Sequence, residues 1–346
     1  MDERIKEFDL LKGWGILTVV FFHAIFYNFQ TYDEKIKHAL YFFGPLGTPV
    51  VVIFFFVSGF LAYRSYKRSP FHFISKKLKT FLPPYLLWST IYLLIQVGFA
   101  SHLSGPYDLS ISNVIYGYLF ATIYLPFYFI FVLLIFYALT PLIFKTNLKY
   151  LMILSLASGL FFTALYYMPQ YWNHSIINST ITYRNPLIWA FFYLWGMYIA
   201  QKRDFLWLKK PSFLVWIGFF FSYAGSVAMI ITVPKLFHDY EAYSALGPFE
   251  YLFYCFSLPI FLWISHLIKE KKYSNALSLF GNHSFDIYAD HILIIGLTLA
   301  PFSLFVNIST SANLYIQIFS GFASSIIALM LGIFLKRFPK IYNVIF

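Results

Sequence analysis

About ten apolar stretches, most near the ~20 residues a helix needs to cross a bilayer, recur along this chain and constrain its fold more than any other feature. They fall near residues 11–30, 44–64, 80–100, 126–145, 148–168, 186–201, 212–233, 249–268, 285–305 and 315–336. The expected fold is therefore all-α, a polytopic membrane protein with about ten transmembrane helices. The first stretch holds Lys12 and His23 and is followed by no small-residue cleavage pattern, so it reads as a retained helix and not a signal peptide. The stretch at 186–201 is short, and 110–125 reads as an interfacial or re-entrant piece before Pro126. With no internal repeat, low-complexity linker or soluble appendage, residues 1–346 are expected to form a single integral membrane domain.

Composition supports this reading. Hydrophobic residues make up 60% of the chain and charged residues 11%, outside the usual range for soluble domains. The 44 Phe and 29 Tyr exceed what a soluble core of this size buries, whereas lipid solvates Phe and the headgroup region holds Tyr. Cys255 has no second cysteine to pair with, so no intrachain disulfide forms. The net charge of +11 suggests nucleic acid at first sight, but the basic residues lie between apolar runs and form no stripe. All but four of the 25 Lys and Arg residues fall in one set of alternate connections, leaving Lys35, Lys37, Arg184 and Lys235 on the other side. The positive-inside rule then places both termini in the cytoplasm and requires an even number of helices.

Polar groups inside such helices are costly, so they are where function is sought. Asp9, Lys12 and His23 fall close to one face of the first helix, and Lys12 to His23 rises ~16 Å at 1.5 Å per residue. The lysine then sits near the cytoplasmic mouth and the imidazole deep in the membrane. The plain reading is a snorkelling Lys12 paired with Asp9, and a His23 that hydrogen-bonds a neighbouring helix. The functional reading is an intramembrane site.

Longer patterns favour the functional reading. RIKEFDLLKGWGILTVVFFH resembles the opening helix of the acyltransferase 3 family of membrane acyltransferases, whose signature is a basic residue, ten residues, then histidine: Lys12 and His23 here. FFFVSGFLAY matches the family's Ser-Gly pair with Ser58 and Gly59, and SKKLKTFLPPYLLW resembles the basic start and Pro-Tyr segment of its third helix. The family usually has arginines three apart there; this chain has Lys76 and Lys79, with Thr80 at a neighbouring position often held by Arg. PFYFIFVLLIFYALTPLI, AFFYLWGMYIA with Gly196 and Met197, and LFGNHSFDIYADHILII with Ser284, Tyr288 and His291 on one face continue the resemblance in order. Asp290 is unusual for the last motif and forms an i, i+4 acidic pair with Asp286, to which no role is assigned.

The resemblance implies transfer of an acyl group, usually acetyl from coenzyme A, to a sugar hydroxyl of a cell-envelope glycan or its lipid-linked precursor, by a multi-pass protein of the bacterial plasma membrane. Lys76, Lys77 and Lys79 would supply cations for the phosphates of the donor, acetyl-CoA, although the positive-inside rule alone also explains them. His23 is the expected general base, because a neutral imidazole suits proton abstraction from the attacking hydroxyl. Asp9 and Lys12 would shape the donor channel, and Tyr288 and His291 either line the same cavity or form a packing pair. Arg184 would hold an anionic acceptor or sit solvated in a loop, while His72, His266 and His283 lie near the cytoplasmic boundary and read as incidental. No histidine and carboxylate spacing suggests a metal, and no Gly-rich phosphate loop occurs. Asn173, Asn178 and Asn307 begin glycosylation triplets that matter only in a eukaryotic secretory pathway.

The alternative from another class is a transporter or flippase of a glycan intermediate. Transporters commonly carry paired repeats with broken helices. No second copy of the first-helix motif occurs, which favours the enzyme.

Reporter fusions after Lys149, Lys210 and Lys272 should read cytoplasmic, and fusions near Asp108, Asn178 and Asp239 external. A reversed result at any two of these sites would overturn the ten-helix topology.

Overall fold

A computed structural model of the chain describes residues 5–27, 29–98, 109–166, 183–202, 210–232, 247–305 and 310–346. The described residues are helical, with three short 3-10 turns and no strand. In chain order the helices are α1 (Lys6–Phe26), α2 (Glu34–Phe43), α3 (Val50–Arg68), α4 (Phe73–Gly98), α5 (Ile111–Leu119), α6 (Tyr128–Ile143) and α7 (Leu148–Tyr166). They continue as α8 (Pro186–Lys202), α9 (Phe213–Thr232), α10 (Pro248–Ile268), α11 (Ser274–Asn282), α12 (Ser284–Phe305), α13 (Thr310–Leu335) and α14 (Pro339–Ile345).

Eight helical stretches among the described residues are long and apolar enough to cross a membrane. The ten apolar runs of the sequence all coincide with helices, and two fall outside that eight. Helix α8 has 17 residues. Helix α12 carries Asp286, Asp290 and His291 inside its apolar run. The piece before Pro126 contains α5, whose nine residues are too few to span. The external fusion points near Asp108, Asn178 and Asp239 lie outside the described residues.

Two compact units account for the chain, one from Met1–Val57 and Arg203–Lys336, the other from Ser58–Lys202 and Arg337–Phe346. In the first unit α1 packs against α10, α11, α12 and α13. Its Ile16, Val20 and Ala24 repeat at four-residue spacing, which puts them on one helix face. That face packs on Ile287, Ile294, Ile295 and Leu299 of α12 and on Ala328 and Leu329 of α13. After α1 the chain turns through Phe29 and Tyr32, packed on Phe26, and Asp33 caps α2 by accepting from the Ile36 amide at 2.8 Å.

Helices α1 and α11 meet backbone to backbone. A Cβ on Gly13 would overlap the Leu277 carbonyl, and one on Gly281 would overlap the Asp9 carbonyl. Small residues let membrane helices meet backbone to backbone, where dispersion supplies the attraction that hydrophobicity cannot. The charged start of α1 is tied down beside this crossing: Glu7 takes the Lys269 ammonium and His266 Nδ1, each at 3.1 Å.

The second unit uses the same device. Gly59 of α3 presses on Tyr193 of α8, where a Cβ would overlap the Tyr193 carbonyl. The Tyr193 and Thr140 hydroxyls hydrogen-bond at 2.7 Å, joining α8 to α6. Arg184 is buried, and it donates to the carbonyls of Phe120 at 2.7 Å and Ala121 at 2.7 Å. Ala121 has φ 54°, a left-handed conformation that a non-glycine residue adopts at a cost. The guanidinium thus clamps a strained turn after α5, and Arg184 is neither a solvated loop residue nor an open anion site. On the other flank α14 packs on α4, with Trp88 Nε1 donating to the Ile345 carbonyl at 2.8 Å.

Gly281→Val should force α1 and α11 apart and lower stability by about 1–3 kcal/mol or more, the usual cost of overpacking. Gly98 has nothing within 4 Å of a built Cβ, so Gly98→Ala should change stability by less than about 1 kcal/mol. Thermal denaturation of the two variants in detergent checks this. Equal midpoints would remove the crossing as a determinant of the fold.

Candidate functional site

Helix α1 runs unbroken from Lys6 to Phe26, so Lys12 and His23 share one rigid element. At its start Lys12 Nζ meets Asp9 Oδ1 at 3.1 Å, with Asp9 buried and Lys12 half-buried. The pairing expected from their three-residue spacing is present. Three turns further on, the His23 ring is half-buried and its centroid lies 5.2 Å from that of His291 on α12, the planes tilted by 44°. Two histidines 268 positions apart therefore meet side by side.

His291 is held by its own helix. It is fully buried, and Nδ1 lies 2.8 Å from the Tyr288 carbonyl, which has no hydrogen to give. Nδ1 therefore carries the proton and donates it, leaving Nε2 as the acceptor. That Nε2 is buried and has no hydrogen-bond partner. The Tyr288 and His291 rings are 6.1 Å apart, so the face expected from the sequence spacing is present. Phe22 borders the pair, its ring edge-on to His23 at 6.1 Å.

The basic start of α4 belongs to the second unit. Lys76 and Lys79 are exposed, whereas Lys77 is half-buried and turns inward. Its ammonium lies 4.7 Å from the Tyr137 ring centroid and 5.8 Å from that of Phe73. Tyr137 hydrogen-bonds Ser58, the serine of the Ser-Gly pair. The three lysines thus differ in a way their sequence does not disclose, and only Lys77 is built into an aromatic setting.

Two further polar groups of the first unit were not singled out by sequence reasoning. Glu250, in the first turn of α10, is buried and accepts from the Tyr254 hydroxyl at 2.7 Å. The signal was available, since an acid inside an apolar run calls for a partner and Tyr254 stands four residues on. His283, read as incidental, is buried with Nδ1 2.6 Å from Asp286 Oδ2. His266 serves Glu7, and His72 is exposed. Among the described residues no group of three or more His, Cys, Asp or Glu could hold a metal ion.

The arrangement therefore offers a rigid pair of imidazoles, one with its acceptor nitrogen unengaged, and elsewhere an inward lysine over a tyrosine. Neither the curated proteins nor the solved structures contain a significant match to this chain. A family model described as an acyltransferase domain matches residues 5–335, nearly the whole chain and every motif considered above. The match supports a membrane acyltransferase, and the chain belongs to the acyltransferase 3 family.

Proposed function

We propose that this protein moves an acyl group, acetyl in the first instance, from acyl coenzyme A to a sugar hydroxyl of a cell-envelope glycan or its lipid-linked precursor. In this reading it works in the bacterial plasma membrane with both termini in the cytoplasm. The observation that carries the reading is the His23–His291 pair, 5.2 Å between ring centroids on two helices of a family of acyltransferases.

His23 is the general base. Its imidazole takes the proton of the acceptor hydroxyl while the oxygen attacks the thioester carbonyl carbon, and the carbon–sulfur bond breaks to release coenzyme A. His291, its Nδ1 donating to the Tyr288 carbonyl, packs its ring against that of His23 and keeps the pair in a fixed geometry. Tyr288 positions His291 and borders the site. Asp9 and Lys12 shape the inner mouth of α1 as a closed ion pair.

Lys77 is assigned to the phosphates of the donor. Lys77 is held in place by the tyrosine ring and not by a carboxylate, which leaves it open to an anion. Lys76 and Lys79 point outward and serve as inner-face topology signals with a weaker claim on the donor.

His23→Ala should leave a folded protein that binds acetyl coenzyme A but releases thiol roughly 10²- to 10⁴-fold more slowly per folded molecule. Gel filtration in detergent checks folding and calorimetry checks donor binding. A histidine that only packs would cost about 0.6–2 kcal/mol of stability and leave turnover near normal. Turnover above about a tenth of wild type would remove His23 as the base. His291→Ala should impair turnover less.

Lys77→Ala should weaken acetyl coenzyme A binding and flatten its dependence on salt, because a screened phosphate contact is lost. The Lys76→Ala/Lys79→Ala double variant should have the smaller effect. Equal donor affinity in wild type and Lys77→Ala would end the assignment.

A further inference from the structure

Helix α1 ends within a turn of His23, and Tyr27 is its C-terminal cap. Tyr27 follows His23 by four residues, so it stands on the His23 face of the helix. Across from it on α12 is Gly296. A Cβ built there would meet the Tyr27 hydroxyl at 3.7 Å and no other atom of a neighbouring element within 4 Å among the described residues. Helices α1 and α12 therefore meet at two successive levels: His23 against His291, with 5.2 Å between ring centroids, and Tyr27 against Gly296 on the side away from Lys12.

The second level is open. At Gly13, Gly59 and Gly281 helix backbones press together and a Cβ would overlap a carbonyl, whereas Gly296 has room for one at ordinary contact distance. Helix packing therefore does not call for a glycine here, although glycine inside a helix costs about 1 kcal/mol relative to alanine. Tyr27 is 43% exposed and Gly296 is half-buried. At the same four-residue steps, Val19 and His23 on α1 and Tyr288 and Ile292 on α12 are half-buried, with Val20 and Ile295 buried behind them. The two helices thus flank a furrow on the His23 side, and Tyr27 and Gly296 form one end of it.

Charge distinguishes the two ends. Lys12 lies ~16 Å before His23 at 1.5 Å per residue. Past Lys12, α1 has no Lys or Arg, and α12 has none from Ser284 to Phe305. A donor carrying phosphates finds a cation along these two helices only at the Lys12 end. Beyond His23 the furrow offers an aromatic face with a hydroxyl at its rim, beside a helix position without a side chain. That combination suits an uncharged sugar ring, which packs its C–H face on an aromatic and hydrogen-bonds at its edge.

We propose that Tyr27 and Gly296 form the acceptor subsite, Tyr27 as the platform for the sugar ring and Gly296 as the gap that admits it. Side chains one turn apart on a helix have Cβ atoms about 5–6 Å apart, so a ring lying on Tyr27 brings one of its own hydroxyls to the His23 imidazole. Tyr27 then selects the acceptor and leaves donor binding to other groups. The inference rests on the acyl-transfer reading with His23 as the base.

Three measurements on the full-length protein test it. The first needs no turnover: in a Cys255→Ser background, Gly296→Cys should react with a methanethiosulfonate reagent at least about tenfold faster than Ala328→Cys, a wholly buried position on α13. A rate no faster than that of Ala328→Cys would mean that the gap is closed, and it overturns the subsite. In the second, calorimetry should show acetyl coenzyme A binding to Tyr27→Ala and Gly296→Leu within about twofold of wild type, because the donor is held elsewhere.

The third follows base-labile acetyl esters on the envelope glycans of cells carrying each variant, per inserted molecule. They should fall about tenfold or more in Tyr27→Ala and Gly296→Leu, and stay within about threefold of wild type in Tyr27→Phe, which keeps the ring. Undiminished esters in Tyr27→Ala or Gly296→Leu, esters as low in Tyr27→Phe as in Tyr27→Ala, or donor affinity lost along with the esters overturns the assignment. A wild type that neither binds acetyl coenzyme A nor adds such esters condemns the acyl-transfer reading instead, and the cysteine comparison then decides the furrow by itself.

Discussion

A charged or polar group surrounded by hydrocarbon must find its partner within the protein, because no water is at hand to supply one. That requirement organises much of what the structure shows. Glu7 is held by Lys269 and His266, Asp9 by Lys12, and His283 stands between Asp286 and Lys336. Arg184 spends its donors on two backbone carbonyls, and Glu250 takes a tyrosine hydroxyl. Each of these contacts also fixes a helix end or a turn, so satisfying the charge and setting the architecture are one operation. The oxygens of Asp290 and the Nε2 of His291 are among the buried polar atoms to which no hydrogen bond is made.

Helix α1 shows how packing and chemistry share one element. Gly13 brings it into backbone contact with α11, and Ile16, Val20 and Ala24 seat it on α12 and α13. With the N-terminal half fixed by the crossing and the middle fixed by the core, the rotation of the helix leaves His23 no choice but to face α12. A substitution at Gly13 or Gly281 would therefore reach the imidazole through the register of the helix, without touching it. Precise placement matters because a misplacement near 1 Å can cost a factor of about 10² in rate.

The helical architecture was largely legible because its signal is long and redundant: runs of apolar residues near the bilayer length, punctuated by lysines. The site was legible in part. Lys12 to His23 and Ser284 to His291 are local spacings on one helix, and local spacing fixes a face. The meeting of His23 with His291 needed α1 and α12 to be adjacent, which no single-helix pattern encodes. The three lysines at 76, 77 and 79 look alike in sequence; the tyrosine that distinguishes Lys77 lies 60 positions away on α6. Arg184 misled for the same reason, because a lone arginine between apolar runs carries no hint of the strained turn it clamps. The acidic pair at Asp286 and Asp290 was visible, but its two members differ only in what α13 and His283 bring to them.

That last difference is where structure adds most to sequence. Asp286 and Asp290 sit one turn apart on one face, yet the first is hydrogen-bonded to an imidazole and the second to nothing. Two fixed negative charges at this spacing would repel each other in a medium that screens poorly. His283 bonds Asp286 and is itself contacted by the Lys336 ammonium, whereas no side chain bonds Asp290. A stably ionised pair would have needed a second cation on α13. Its sequence from Thr310 to Leu335 contains none.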